Sequence, residues 1–289
     1  MRYPLISLLL SAALLNGQPA APAAEPQQPA VTEPAPVPAL PELVADPTPE
    51  PDQPSTDAPR QGLLETESWW FQRNRTHLPP SAQQDVDIRS RDGYYLGDMQ
   101  HKVIYLTFDE GYENGCTAEI LDILAANDVK AAFFVTTPYV KENPALVQRM
   151  VDEGHLVGNH STTHPDCSRL SLSQLQSELG RCADAYRALT GQEMKKYFRP
   201  PEGKYSIASL THAQTLGYKT IFWSFAYADW DPDKQPGRDR AYQMIVDNHH
   251  NGAIMLLHAV SRSNTDALED SLKFLKEQGY VFLSLEDLP

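Results

Sequence analysis

The chain has 289 residues, enough for one large domain or two small ones, and its apolar fraction of 41% supplies a sizeable core. Its formal net charge of −14 excludes a general nucleic-acid binder, which needs a basic face to neutralise phosphates. The same charge excludes a surface docked on anionic lipid.

Arg2 precedes an uncharged run from Leu5 to Leu15, and the small-residue stretch Ala21-Pro22-Ala23 follows. Residues 1–23 read as a secretory signal peptide or, if uncleaved, as an N-terminal anchor. The run is shorter than the ~20 residues a spanning helix needs. Either way the bulk of the chain is expected to be extracytoplasmic, secreted or membrane-tethered. Thirteen of the 24 prolines fall between Pro19 and Pro59, and seven acidic residues, Glu25 to Asp57, meet no basic residue before Arg60. Residues 24–62 therefore read as a Pro-rich, acidic, disordered linker, extended and semi-rigid, and its stretch up to Pro59 carries half of the net charge. Residues 63–100 open with Trp69-Trp70-Phe71 and contain Pro79-Pro80. They are expected to wrap as an arm on the domain that follows, without regular elements. The three aromatics read as packing on that domain, with a sugar-stacking platform as the alternative.

From residue 101 to 289 strand and helix patterns alternate. Strands are expected at Val103–Thr107, Ala131–Val135, His155–Gly158, Tyr197–Phe198, Thr220–Phe225, Ala253–Leu257 and Tyr280–Leu283. Helices are expected over Thr117–Asn127, Pro144–Glu153, Ser206–Leu216, Arg240–His249 and Thr265–Gln278. A further helix runs from an N-cap at Ser171 to Leu189. Seven strands alternating with helices imply an α/β fold with a parallel sheet. Periodicity alone leaves a closed barrel and an open sheet both possible. Cys116, Cys167 and Cys182 cannot all pair within one chain, and their spacing matches neither a zinc knuckle nor a redox motif.

Polar groups gather at the C-terminal ends of these strands, where parallel α/β folds place their sites. They are Asp109 and Glu110, then His160 and His164, then Arg199-Pro200-Pro201, then Asp229 and Trp230, then His258. His160 and His164 stand four apart, which puts two imidazoles on one side of a helical turn. That spacing suits a divalent metal completed by a carboxylate, with positions left open for water. A metal-bound water ionises readily, a nearby carboxylate takes its proton, and a histidine opposite protonates the leaving group. This is equipment for metal-assisted hydrolysis of an amide or ester.

In this order the segments Thr107-Phe108-Asp109-x-Gly111, His160-Ser161-x-x-His164, Arg199-Pro200-Pro201, Asp229-Trp230 and Leu256-Leu257-His258 resemble the polysaccharide deacetylases of the NodB-homology type, carbohydrate esterase family 4. The resemblance spans about Lys102 to Leu288. It implies a distorted (β/α) barrel of seven or eight parallel strands. It also implies Asp109 as general base, Arg199 as its partner, His258 as general acid and Asp229 as the group that fixes it. His160, His164 and Glu110 would be metal ligands, the divalent ion being zinc. Trp230 and Leu256 would wall the pocket for the acetyl methyl. Glu110 stands where the family has Asp, and its reach is one methylene longer. Glu202 stands where the family has an aromatic residue, and its backbone N–H would serve the oxyanion.

Gly111-Tyr112-Glu113-Asn114-Gly115, the Trp70-Phe71 arm, Tyr94 to Asp98, and Phe225 to Gln235 resemble the PdaA-like branch of delta-lactam-biosynthetic de-N-acetylases. That likeness implies hydrolysis of the N-acetyl group of N-acetylmuramic acid in peptidoglycan glycan strands, in support of muramic delta-lactam formation in spore cortex. Deacetylation of N-acetylglucosamine in peptidoglycan or chitin, and an inactive wall-binding module, remain the alternatives. No nucleic-acid or protein partner is expected.

Overall fold

The computed structural model describes residues 63–83 and 86–289. The leader and linker expected over residues 1–62 lie outside the described residues. Among the described residues no helix is long and apolar enough to cross a membrane.

The segment before the first long strand is not the irregular arm expected. It holds four two-residue strands, β1 (Glu67–Ser68), β2 (Phe71–Gln72), β3 (Ser81–Ala82) and β4 (Gly93–Tyr94). Strand and helix then alternate. β5 (Val103–Glu110) leads to α1 (Thr117–Ala126), and β6 (Ala132–Val135) leads to α2 (Thr137–Glu142) and α3 (Pro144–Asp152). β7 (Leu156–Asn159) leads to α4 (Leu172–Thr190), and β8 (Tyr197–Phe198) with β9 (Lys204–Tyr205) leads to α5 (Ile207–Thr215). β10 (Lys219–Ile221), α6 (Arg238–Asn248), β11 (Ala253–His258), α7 (Arg262–Glu277) and β12 (Val281–Phe282) complete the series. Ser171 caps α4 through a capping box with Gln174, and Gly191 ends that helix in the left-handed conformation.

Eight of these strands form one parallel sheet in the order β11-β5-β6-β7-β8-β10-β4, with β12 beside the start of β5. All seven strands expected from the sequence belong to it, and β4 is the eighth. Beyond β10 the chain turns to meet β11. Phe225 bridges Met255 in parallel, Ser224 N donates to Ile254 O at 3.0 Å, and Leu256 N donates to Phe225 O at 2.8 Å. The ring of strands therefore closes into a distorted (β/α) barrel. At the opposite end Leu96 bridges Ala253, and Gly97 N donates to Gly252 O at 2.9 Å. A Cβ on Gly97 would stand 2.1 Å from the Tyr105 ring, so only glycine lets the segment lie across the barrel floor.

Side chains alternate across each strand. Val103, Tyr105, Ala132, Phe134, Leu156, Ile221 and Ile254 fill the barrel interior. Ile104, Leu106, Phe108, Phe133, Val135, Met255 and Leu257 face the helices. Each of the larger aliphatic and aromatic side chains among them contributes about 1.5–3 kcal/mol on leaving water. The three cysteines are buried and free.

His155, just before β7, gives the fold a pH dependence. Its side chain is fully buried, and its Nδ1 accepts from Ala131 N at 3.1 Å, which requires a neutral ring. Burial, reinforced by the charge of Lys130, pushes its pKa down to about 4. A depressed value means that this stability is complete above the unfolded value near 6.5 and is lost as pH falls toward 4, by at most about 3 kcal/mol. Urea unfolding between pH 7 and 4.5 is expected to show that loss in the wild type and a shallower slope in His155→Gln.

Candidate active site

The register of the barrel brings the site together. On the neighbouring strands β5 and β11, Asp109 and His258 are Cα partners. Asp109 shares the inward direction of Val103 and Tyr105, and His258 that of Ile254 and Leu256. Both side chains therefore reach the barrel mouth at the C-terminal ends of the strands. A cleft of about 860 Å³ opens there, lined among others by Asp109, His160, His164, Trp230, Leu256 and His258.

Asp109 is organised by a buried guanidinium. Arg199 follows β8 and is completely buried. Its Nη1 donates to Asp109 Oδ1 at 2.8 Å, its Nε donates to Ile221 O at 3.1 Å, and its guanidinium lies 4.3 Å from the centre of the Phe134 ring. Burial alone would push the Asp109 carboxyl up. Arg199 outweighs it, aided by His160 and His258, and holds the group below the ordinary carboxylate range. A buried carboxylate kept ionised at the edge of a cleft is fitted to take a proton.

His160 and His164 lie in a loop after β7 and not on the helical turn expected. Ser161 and His164 both have positive φ, 69° and 56°, which no helix accommodates. Other groups impose the turn. Ser161 N donates to Asn159 Oδ1 at 2.9 Å, and Glu178 on α4 accepts from Thr162 N and Thr163 N at 3.0 and 2.9 Å. The loop still brings the two imidazoles together, with ring centres 5.0 Å apart. His160 Nδ1 donates to Arg199 O at 2.8 Å, which turns Nε2 toward the cleft, 3.6 Å from Asp109 Oδ2. Burial pushes the His160 pKa down to about 4, so the ring is neutral and ready to ligate.

Glu110, expected as the third ligand, does not join this pair. The sequence pattern ended the strand at Thr107, but β5 runs on through Glu110. Strand alternation then sends Glu110 to the helix side, opposite to Asp109. Its Oε1 lies 3.5 Å from Thr117 Oγ1 on α1, and its Oε2 has no hydrogen-bond partner. Burial, with Glu113 nearby, pushes its carboxyl well above the ordinary range and favours the neutral acid. Among the described residues no group of three His, Cys, Asp or Glu is disposed to hold a metal. Of the three residues expected to ligate, only His160 and His164 face each other at the cleft, with Asp109 Oδ2 3.6 Å from His160 Nε2, and Glu110 stands apart from them.

Asp229 is buried and receives His258 twice. His258 Nδ1 donates to Oδ1 at 2.7 Å and His258 N donates to Oδ2 at 2.9 Å. Burial would strip the proton from His258, but Asp229 outweighs it and holds the pKa above the ordinary value. Asp109 and His258 are thus tuned in opposite senses, one toward giving up its proton and one toward keeping it.

Trp230 and Leu256 both line the cleft, Trp230 half exposed and Leu256 buried. Glu202 also lines it, with φ 56° in the turn after Arg199-Pro200-Pro201. Its carboxylate points to solvent and pairs with Lys204 Nζ at 2.6 Å, so its charge is matched. Next to it Gly203 has φ +66°, and a Cβ there would meet the Trp223 ring at 2.7 Å. Trp69 holds this turn. Its N donates to Gly203 O and its Nε1 to Trp223 O, each at 2.9 Å. Trp69 is therefore packed on the domain, whereas Trp70 is half exposed.

Sequence reasoning missed several contributors. Trp223 and Tyr227 line the cleft, and Asn264 donates to Asp229 Oδ2. Glu113 caps α1 by accepting from Cys116 N at 2.9 Å, and Asn114 Nδ2 donates to Val260 O at 2.9 Å, which fixes the loop bearing Tyr112. Glu113 and Asn114 were legible as a motif, and the exposed Tyr112 as its product. Asn264 carried no signal, because a polar residue in the first turn of a helix reads as a cap.

Residues 97–221 match the family described as polysaccharide deacetylase. The peptidoglycan-N-acetylmuramic acid deacetylase PdaA of Bacillus subtilis (strain 168) is 45% identical over 223 residues, which cover 76% of this chain and 85% of that protein. The solved structure of Bacillus subtilis PdaA, a family 4 carbohydrate esterase, is similar with a TM-score of 0.76 at 44% identity, over 78% of this chain and 97% of that one. A family 4 carbohydrate esterase from Bacillus anthracis is similar with a TM-score of 0.65 at 39% identity, over 78% of this chain and 96% of that one.

The Asp109–Arg199 pair predicts a stability effect. Arg199→Met leaves a buried carboxylate without its cation and is expected to cost about 3–5 kcal/mol. Chemical denaturation of Arg199→Met and of the double variant with Asp109→Asn checks it, the double variant recovering part of the loss.

Proposed function

The chain belongs to the polysaccharide deacetylase family, and we propose that it hydrolyses the N-acetyl group of N-acetylmuramic acid in peptidoglycan. The observation that carries the reaction type is the pair of oppositely tuned groups on one rung of the barrel, Asp109 beside Arg199 and His258 beside Asp229. The substrate follows from likeness to the muramic acid deacetylase over most of that protein's length.

The acetyl methyl enters against Leu256 and Trp230. Asp109 takes a proton from water as its oxygen attacks the amide carbonyl. The backbone N–H of Glu202 donates to the oxygen that gains charge. His258 then delivers a proton to the sugar nitrogen as the C–N bond breaks, leaving acetate and a free amine. Asp229 keeps His258 charged and oriented throughout, and Arg199 does the same for Asp109. A divalent metal, zinc in this reading, would be held by His160 and His164 and would supply carbonyl polarisation and a more acidic water. The freed amine stands near the lactyl group, so the product is the precursor of a muramic delta-lactam of the kind found in spore cortex. Peptidoglycan lies outside the cytoplasmic membrane, which agrees with an extracytoplasmic enzyme, secreted or tethered.

Incubation with peptide-free peptidoglycan strands is expected to release acetate, and mass spectrometry is expected to find the acetyl group lost from muramic acid. Loss from glucosamine instead would overturn the substrate reading. Asp109→Asn is expected to lower kcat by about 10²–10⁴. The wild-type rate should be bell-shaped in pH. It rises as Asp109 ionises, below the usual carboxylate range, and falls as His258 loses its proton, above its ordinary 6.5.

Metal binding is tested by elemental analysis of protein purified without chelator. His164→Ala is expected to lose the metal and Glu110→Gln to keep it.

A further inference from the structure

Asp229 is held by more than His258. Tyr227, Asp229 and Asn264 are all buried, and they form one chain of hydrogen bonds. Asn264 sits in the first turn of α7. Its backbone N–H is already satisfied by the Ser261 side chain at 3.1 Å, so its amide side chain is free to turn inward. Its Nδ2 donates to Asp229 Oδ2 at 2.5 Å, and its Oδ1 accepts from the Tyr227 hydroxyl. The direction is forced. An ionised carboxylate only accepts, so the amide must present its NH2 to Asp229 and its oxygen to the phenol.

The choice of a neutral donor matters. Asp109 is balanced by an arginine, but among the described residues no lysine or arginine pairs with Asp229. An arginine there would cancel the field that keeps the proton on His258. An amide steadies the same carboxylate oxygen and adds no charge. The start of α7 reinforces this, because the positive end of a helix favours an anion near its first turn. Gln235 ties the two segments from the other side, donating to Asp229 O at 3.0 Å and accepting from Ser261 Oγ at 2.6 Å.

We propose that Asn264, backed by Tyr227, is a positioning residue that sets the orientation and proton affinity of His258 through Asp229. The proposal rests on His258 being the proton donor of the deacetylation. Without the amide, Asp229 leans on His258 alone, and His258 binds its proton more tightly.

The test uses Asn264→Ala and Tyr227→Phe in the intact protein, with two readouts. Acetate release from peptide-free peptidoglycan gives kcat and KM across pH, and NMR titration of the His258 ring gives its proton affinity without turnover. In Asn264→Ala, kcat is expected to fall about 10- to 100-fold with KM within about twofold, the scale for a group that holds a reacting side chain. The His258 titration and the alkaline limb of the rate should both move to higher pH. Tyr227→Phe, which removes one oxygen and keeps the ring, should shift both in the same direction by less. A folded Asn264→Ala with wild-type kcat, or with His258 titrating as in the wild type, overturns the proposal. Should Asn264→Ala fail to fold, Tyr227→Phe decides, and unchanged kcat and titration there overturn it. A wild type that releases no acetate counts against the proposed function, whereas an unshifted His258 counts against Asn264.

Discussion

A guanidinium sealed inside a barrel must be answered by an opposite charge and by carbonyls, and much of the site follows from that requirement. Arg199 is completely buried, and Asp109, the carbonyls of Ile221 and Phe222, and the Phe134 ring surround it. Removing any one partner exposes the desolvation cost of the charge. The pair consequently fixes more than itself. It holds Asp109 ionised, it places the Arg199 carbonyl where His160 Nδ1 needs an acceptor, and it pins the start of the turn that carries Glu202.

A second constraint comes from the period of a strand. Asp109 and Glu110 are adjacent in sequence and chemically alike, yet the pleat sends them to opposite faces. Asp109 meets Arg199 and stays charged, while Glu110 meets Thr117 with Glu113 close by and favours its neutral form. One methylene of extra reach is small beside that reversal of direction. What remains together at the barrel mouth is the pair of imidazoles, with Asp109 at their edge.

The two charged dyads are built differently, and the difference suits opposite tasks. Arg199 lowers the proton affinity of Asp109. A network of neutral donors around Asp229 leaves its field free to raise that of His258. Burial acts against ionisation at both places, so the partners decide the outcome. The register of β5 and β11 then sets the two results side by side.

Much of this was legible in the chain itself. Alternating apolar runs located all seven expected strands, and Ser171 and Gln174 marked the start of α4, because periodicity and capping are local properties. The spaced motifs around Asp109, His160, Arg199, Asp229 and His258 marked the strand ends that meet at the barrel mouth. Tertiary structure decided the rest. It extended β5 through Glu110 and turned that carboxylate away from the histidines. It made the loop of His160 and His164 left-handed at two residues by anchoring it to Asn159 and Glu178. It drew β4 from the preceding segment into the sheet, closed the ring through Phe225, and brought Asn264 to Asp229 across 35 positions of sequence. The physical reason is common to all of these. The sequence fixes which groups a residue can offer, but which partner a buried group finds, and so its direction and its charge, depends on segments far along the chain.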